Sequence, residues 1–323
     1  MMKWNRIQVL SALLIAGLFC VIAQAADISR SGIPSGSNWY VHINLDLIQN
    51  SEVGRRLMAE TIDEALDEIQ GELDIDLRNE VEGITVFGGK LPERGNVAKE
   101  GAVIFHGALS QHTQEELLAA LGRKGADVTA LDSAGLTYYK LVNDGGSMTY
   151  TDKDGHEEDV DFGHRQDVYF SFGLSQALVT QNLDLMQAFL DAGGYLGGFE
   201  TVDSQALLVL QADRALMQGG ANTSTQTGGE WDSSILKNVD AVALVIAEQN
   251  SGLQVSAQLT ATSPDMAMAV RNIVEGVVAL KALDESDGEL GEVLRQIRFE
   301  NDGPDLHINV PVTSAQIEAL RDL

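Results

Sequence analysis

The chain has 323 residues, of which 48 are Asp or Glu and 21 are Lys or Arg, for a formal charge of −27 at pH 7. A field of that sign repels nucleic-acid phosphates and anionic lipid headgroups, which excludes nucleic acid as a partner and favours cations or basic proteins. With one cysteine, Cys20, there is no disulfide framework, no Cys-ligated zinc and no iron–sulfur cluster, so the fold has to rest on a packed core. The length is ample for such a core and suggests two domains.

Residues 1–25 read as a secretory signal peptide. Lys3 and Arg6 supply the positive start, Val9 to Ala23 is apolar but short for a membrane span, and Ala23-Gln24-Ala25 gives a small-x-small cleavage pattern. The mature chain is then expected to begin at Ala26 and to be periplasmic or extracellular. Phe19 before Cys20 argues against lipid anchoring. Loss of Lys3 and Arg6 leaves 19 basic against 48 acidic residues, a formal charge of −29. Downstream, even Met266 to Leu283 is interrupted by Arg271, Asn272, Glu275 and Lys281, so no membrane span is expected.

After a linker over 26–35, Trp39 to Asp46 alternates as a strand and leads into a helical pattern from Ser51 to about Gln70. Asp46 stands where a helix N-cap would be useful. Strands follow at Gly83–Phe87 and Gly101–Leu109, then a helix at Gln114–Leu121 and a strand pair from Val128 to Leu141. The same order returns from Ala206–Asp213 through Ala241–Ala247 and Leu253–Thr260, a helix from Pro264 to about Leu283, and a strand pair from Ile297 to Val312. Read as β-α-β-β-α-β twice, the chain is expected to be an α+β protein of two tandem ferredoxin-like units, at 36–200 and 201–323. Residues 142–200 add an acidic hairpin, strand signals at Val168–Phe172 and Ala177–Thr180, and a short helix at Leu183–Leu190. These form an extension to the first unit. Gly219 to Gly229 reads as a loop open to proteolysis.

The segment Asp76-Leu-Arg-Asn-Glu-Val-Glu-Gly-Ile-Thr-Val-Phe-Gly88, with the later run from Gln176 to Phe189, resembles uncharacterised secreted bacterial proteins of similar size. The resemblance implies an envelope location and carries no activity.

Strand parity sorts the chemistry-bearing groups. Val41, Ile43 and Leu45 share one face of the first strand, and Tyr40, His42 and Asn44 the other. By the repeat, His106 aligns with Ala257 and points to the helices, whereas His42 points away, so a zinc site built from the two is not expected. His106 reads as a hydrogen-bonded core histidine, His112 as the start of a helix, and His307 as partnerless on the last strand. Tyr40, His42 and Asn44, with Phe105 on the same expected open face, form a candidate ligand-binding set: an aromatic, an imidazole and an amide suit a small amphipathic ligand.

Asp152, Asp154, Glu157, Glu158, Asp159 and Asp161 offer hard oxygens for calcium. With Gly155 sixth in an EF-type loop, however, Tyr150 falls first, and Lys153-Asp154-Gly155 reads as a hairpin turn. Gly173-Leu-Ser-Gln-Ala177 departs from G-x-S-x-G, and H-E-x-x-H, a phosphate loop and a dinucleotide fingerprint are absent from the sequence. Haem is disfavoured because the second unit has its one histidine, His307, on a strand.

The expectation is therefore a non-catalytic envelope binding or interaction protein, without a cofactor, whose partner is an envelope protein or a small ligand. The alternatives are a hydrolase or transferase with a site assembled from distant residues, and a calcium-dependent binding module using the 152–161 hairpin.

Overall fold

The structure is a computed structural model that describes residues 37–55, 67, 70–71, 77–89, 101–123, 126–142, 147–151, 157–161, 167–196, 206–213, 238–284 and 288–321. The expected signal peptide, the linker and the loop at 219–229 lie outside these residues, as does most of the helix expected from Ser51; residues 52–55 of it are helical. The chain divides into an N-terminal unit, Arg30–Asn50 with Arg55–Glu200, and a C-terminal unit that includes Thr201–Leu323.

The N-terminal unit contains β1 (Trp39–Asn44), α1 (Leu45–Asn50), β2 (Gly83–Gly88), β3 (Gly101–His106), α2 (Gln111–Arg123), β4 (Asp127–Ser133) and β5 (Leu136–Val142). It continues with β6 (Ser147–Thr151), β7 (Glu157–Asp161), β8 (Val168–Phe172), β9 (Gln176–Thr180) and α3 (Leu183–Asp191). Seven strands run in the order β1-β2-β3-β9-β8-β5-β4, and β6 and β7 pair separately as a two-stranded ribbon. Every pairing described within this unit is antiparallel.

One face of this sheet is covered by α3. Its Met186, Phe189 and Leu190 are buried against Phe87, Ala102, Ile104 and Leu178, with Tyr40, Leu136, Tyr138 and Tyr169 around them. The helix starts cleanly because the Asn182 side chain accepts the backbone N–H groups of Asp184 and Leu185, two donors that a first helical turn cannot satisfy internally. Burying three large apolar side chains in one cluster removes several hundred square ångströms from water, and each contributes about 1.5–3 kcal/mol.

The C-terminal unit contains β10 (Ala206–Asp213), β11 (Val239–Gln249), β12 (Gly252–Ala261), α4 (Pro264–Asp284), α5 (Glu289–Gln296), β13 (Arg298–Asp302), β14 (Asp305–Val312) and α6 (Ser314–Arg321). Its strand order is β10-β11-β12-β14-β13, again antiparallel at each described pairing. Val270 on α4 is buried with Leu306 and Ile308, beside Ala257, Leu259, Met266 and Phe299. Ala257 and Leu259 of β12 thus lie on the helix-covered face.

The ferredoxin-like reading is overturned by these pairings. A split βαβ unit sets its first and third strands side by side and parallel. Here β1 pairs antiparallel with β2 and β2 with β3, and β10, β11 and β12 do the same, so each unit opens with a three-stranded meander. Most described strands and the helices at 111–123, 183–191 and 264–284 fall near where the periodicity placed them, whereas α1, α5 and α6 lie outside that pattern; a β-α-β-β-α-β order does not dictate which strands become neighbours, and strands consecutive in sequence tend to pair. The 142–200 segment is also no appendage: β9 pairs with β3 and β8 with β5, so the supposed extension occupies the middle of the sheet.

Candidate functional site

In an antiparallel ladder, residues directly opposite one another share a face. His42 is opposite Thr85, Thr85 opposite Ile104, and Ile104 opposite Leu178. Gly83 is opposite both Asn44 and His106, and His106 is opposite Gln176. Tyr40, His42, Asn44, Thr85, Ile104, His106 and Gln176 therefore stand on one face, the face that α3 covers. This corrects the sequence parity, which put His42 and His106 on opposite sides. A one-residue error in assigning the inward face of β1 moves every side chain of the strand to the other side.

The two histidines meet at a single hydroxyl. His42 Nδ1 lies 2.8 Å from Thr85 Oγ1, and His106 Nε2 lies 2.7 Å from the same oxygen. The rings are edge to face, with centres 5.3 Å apart. Thr85 is fully buried and His42 is 7% exposed. Burial pushes the His42 imidazole below the ordinary histidine pKa, and burial together with the nearby His42 pushes His106 down to about 4. At neutral pH both rings are uncharged.

Gly83 makes room for this arrangement. A Cβ there would sit 2.9 Å from the Ile43 carbonyl oxygen and 3.3 Å from His42 Cε1, so any other residue would displace either the β1 backbone or the ring.

The remaining sequence candidates separate. Burial raises the pKa of Tyr40, consistent with its place beside the α3 core. Asn44 is a helix cap, its Oδ1 accepting the Leu47 N–H at 2.9 Å. Asp46, expected in that role, is instead the second residue of α1, and its backbone N–H donates to the Glu82 carbonyl. Phe105 is opposite Ile84 and Ala177, on the face away from Tyr40, His42 and Asn44. Asp152 and Asp154 lie outside the described residues; Glu157, Glu158, Asp159 and Asp161 are on β7. Among the described residues no group of three or more His, Cys, Asp or Glu side chains is placed to hold a metal. His112 is the second residue of α2, and His307 stands opposite Gln258 on β12 and Glu300 on β13.

No family model and no curated protein matches the chain. Among solved structures it is similar to TP0453: to crystal form III at TM-score 0.48 and 11% identity, covering 93% of this chain and 100% of that one. Crystal form I gives TM-score 0.47 and 10% identity, over 92% and 98% of the two chains.

Chemically, the His42–Thr85–His106 group is a hydroxyl between two bases, the constituents of an activated nucleophile. Its access decides otherwise. Thr85 has no exposed surface, and among the described residues its hydroxyl contacts are imidazole nitrogens within its own sheet, so the hydroxyl is enclosed in this structure. Thr85 went unnoticed in the sequence because a threonine in Gly83-Ile-Thr-Val-Phe87 is an ordinary strand residue. Assuming β1 and β2 to be antiparallel neighbours would have placed it opposite His42.

Among the described residues, no helix is long and apolar enough to cross a membrane.

Proposed function

We propose that the chain is an exported, non-catalytic binding or interaction protein of the bacterial envelope. The observation that carries this reading is the burial of the polar cluster assembled by β1, β2 and β3: the Thr85 hydroxyl, flanked by two imidazoles, is enclosed in the core of the N-terminal unit, where it serves packing rather than turnover. The signal pattern of residues 1–25, the strongly acidic surface and the resemblance of 76–88 to secreted proteins support the location. Recognition then belongs to the surface, and a formal charge near −29 on the mature chain favours a cationic or basic partner.

Two measurements test the reading. Cell fractionation with N-terminal sequencing should find the chain outside the cytoplasm with Ala26 first; a cytoplasmic chain retaining Met1 would overturn it. Thermal unfolding against a panel of calcium, zinc and small ligands then sorts the binding chemistry, since a ligand at about 100 times its dissociation constant adds about 2.7 kcal/mol. A calcium-specific shift abolished by Asp152→Ala with Asp154→Ala would make the hairpin the binding element.

A further inference from the structure

Helix α4 is apolar on two sides. On its inner side Ala267, Val270 and Val278 are buried, Val270 against Leu306 and Ile308 of β14. Of the eight large apolar side chains most exposed among the described residues, five are also on this helix: Met268, Ile273, Val277, Leu280 and Leu283, with Leu280 at 66% and Leu283 at 72%. A helix that is apolar all round is ordinarily buried all round, so the outer side is suited to being covered.

The pattern of that side fits another helix. At about 100° per residue, Ala269, Ile273, Gly276, Leu280 and Leu283 fall within about 40° of one line along the helix, at the alternating spacing of four and three residues with which two helices pack side by side. The line lies roughly opposite the buried Ala267 and Val278. Arg271, Glu275 and Lys281 stand off it, and Arg271 Nε donates to Glu275 Oε1 at 2.7 Å within the helix. Gly276 stands on it, with nothing within 4 Å of where a Cβ would be. Glycine inside a helix costs stability relative to alanine, and no contact within the chain calls for one here; a second backbone drawing close at this point would.

An antiparallel pair of α4 helices matches large side chains to small ones. Setting Ile273 against Gly276 of a second copy places Ala269 against Leu280 of that copy, and the two-fold axis repeats both matches. Parallel pairing would instead set glycine on glycine and Leu280 on Leu280. Fully burying a Val, Leu, Ile or Met side chain removes about 60–120 Å² of apolar surface from water. Two such stripes therefore bury on the order of 1,000 Å² in total, the size of a transient interface.

We propose that the outer side of α4 is a self-association surface, on which a second copy of the chain docks through its own α4, antiparallel, as a weak two-fold dimer. The surface belongs to the C-terminal unit and stands whether or not the chain is exported or meets a basic partner. Each copy carries the acidic excess of the sequence, and the pairing brings Asp265 near residue 284 of the other copy, also an aspartate. Salt should therefore tighten the dimer by screening this repulsion, whereas it weakens binding to a basic protein.

Sedimentation equilibrium of the full chain, as cells process it, tests the proposal between about 1 µM and 1 mM. It should show monomer and dimer in exchange, with the dimer several-fold tighter at high salt. Ile273→Glu and Leu280→Glu each bury two unpaired carboxylates per dimer and should weaken it about 100-fold or more. Leu174→Glu, at a residue 91% exposed in the N-terminal unit, should leave it unchanged. A dimer that survives both α4 variants overturns the proposal, as does a chain that stays monomeric up to about 1 mM; flotation of that monomer with phosphatidylcholine vesicles, lost in Ile273→Glu, would assign the surface to lipid instead. If the glutamate variants do not fold, cysteine pairing decides. On a Cys20→Ser background, Ala269→Cys with Leu280→Cys should oxidise to a covalent dimer, whereas Ala269→Cys alone should not, because antiparallel pairing holds the two copies of residue 269 about 16 Å apart. Equal cross-linking of the single variant would overturn the antiparallel dimer.

Discussion

The ring centres of His42 and His106 lie 5.3 Å apart on two strands that are not themselves neighbours: β2 runs between them and supplies the threonine that both rings contact. Two bases are thus held together by a third strand, and their spacing depends on the register of both ladders. A slip in either pairing would separate them. The cluster therefore reports the integrity of the whole β1-β2-β3 meander, which makes it a sensitive place to perturb.

The first prediction concerns acid stability. Both histidines have folded-state pKa values below the ordinary 6.5, so between about pH 4 and 6.5 the unfolded chain binds more protons than the folded one. The stability present above pH 6.5 is lost as pH falls through that window, with about 3 kcal/mol at stake for His106 alone. Urea titrations between pH 8 and pH 4 should show the decline beginning near the histidine range. A flat profile down to the carboxylate range would refute it.

Much of this unit could be read from residues alone, and the unreadable part has a physical cause. The strands at 83–88, 168–172 and 206–213 and the helices at 183–191 and 264–284 follow from alternation, 3.6-residue periodicity and capping. The face of β1 did not, because Trp39-Tyr-Val-His-Ile-Asn44 has apolar residues on both sides. Burial does not separate the sides either: Trp39 and His42, on opposite faces, are both buried, and Tyr40, Val41, Ile43 and Asn44 are all half-buried. Nor could strand order be read, since β8 and β9 enter the sheet between β3 and β5, a non-local choice that no window of sequence contains. Thr85 became visible only once both ladders were in register.

Removing the shared hydroxyl should be costly despite the conserved shape. Thr85→Val replaces the hydroxyl by a methyl of similar volume, but leaves His42 Nδ1 and His106 Nε2 facing apolar carbon. Losing the partner of a buried polar group costs about 1–3 kcal/mol. Thr85→Ser keeps the hydroxyl and should cost less, through the lost methyl alone. Chemical denaturation of the two variants compares them, and equal stabilities would show that the hydroxyl contributes nothing.

Gly83→Ala tests the close approach of β1. The added Cβ would lie 2.9 Å from the Ile43 carbonyl oxygen and 3.3 Å from His42 Cε1, and the backbone atom cannot swing away as a flexible side chain would. Overpacking of this kind costs about 1–3 kcal/mol. The His42 ring resonances should shift in the variant while those of His307, in the other unit, stay in place. Unchanged His42 resonances and an unchanged denaturation midpoint would show that the β1 backbone yields freely.

Glu80 provides the remaining test, away from the histidines. Its carboxylate accepts the Ser110 backbone N–H and hydroxyl, both at 2.8 Å, and the Thr113 hydroxyl at 2.7 Å, so an acidic group from the segment before β2 caps the start of α2. Slight burial pushes its pKa up, but the hydrogen bonds from Ser110 and Thr113, with the positive potential of nearby His112, outweigh it and hold the carboxyl below its usual value. The contribution is therefore present above about pH 4.5 and is lost as pH falls further, from the acid edge of the window in which the histidines act downwards. Glu80→Gln keeps the shape but removes the charge opposite a helix N-terminus, and should destabilise by about 0.5–2 kcal/mol. Its pH profile should converge with that of the unaltered chain in the acid limit, where the native carboxyl is itself protonated. A constant offset between the two profiles at every pH would show that the charge of Glu80 is not what holds α2.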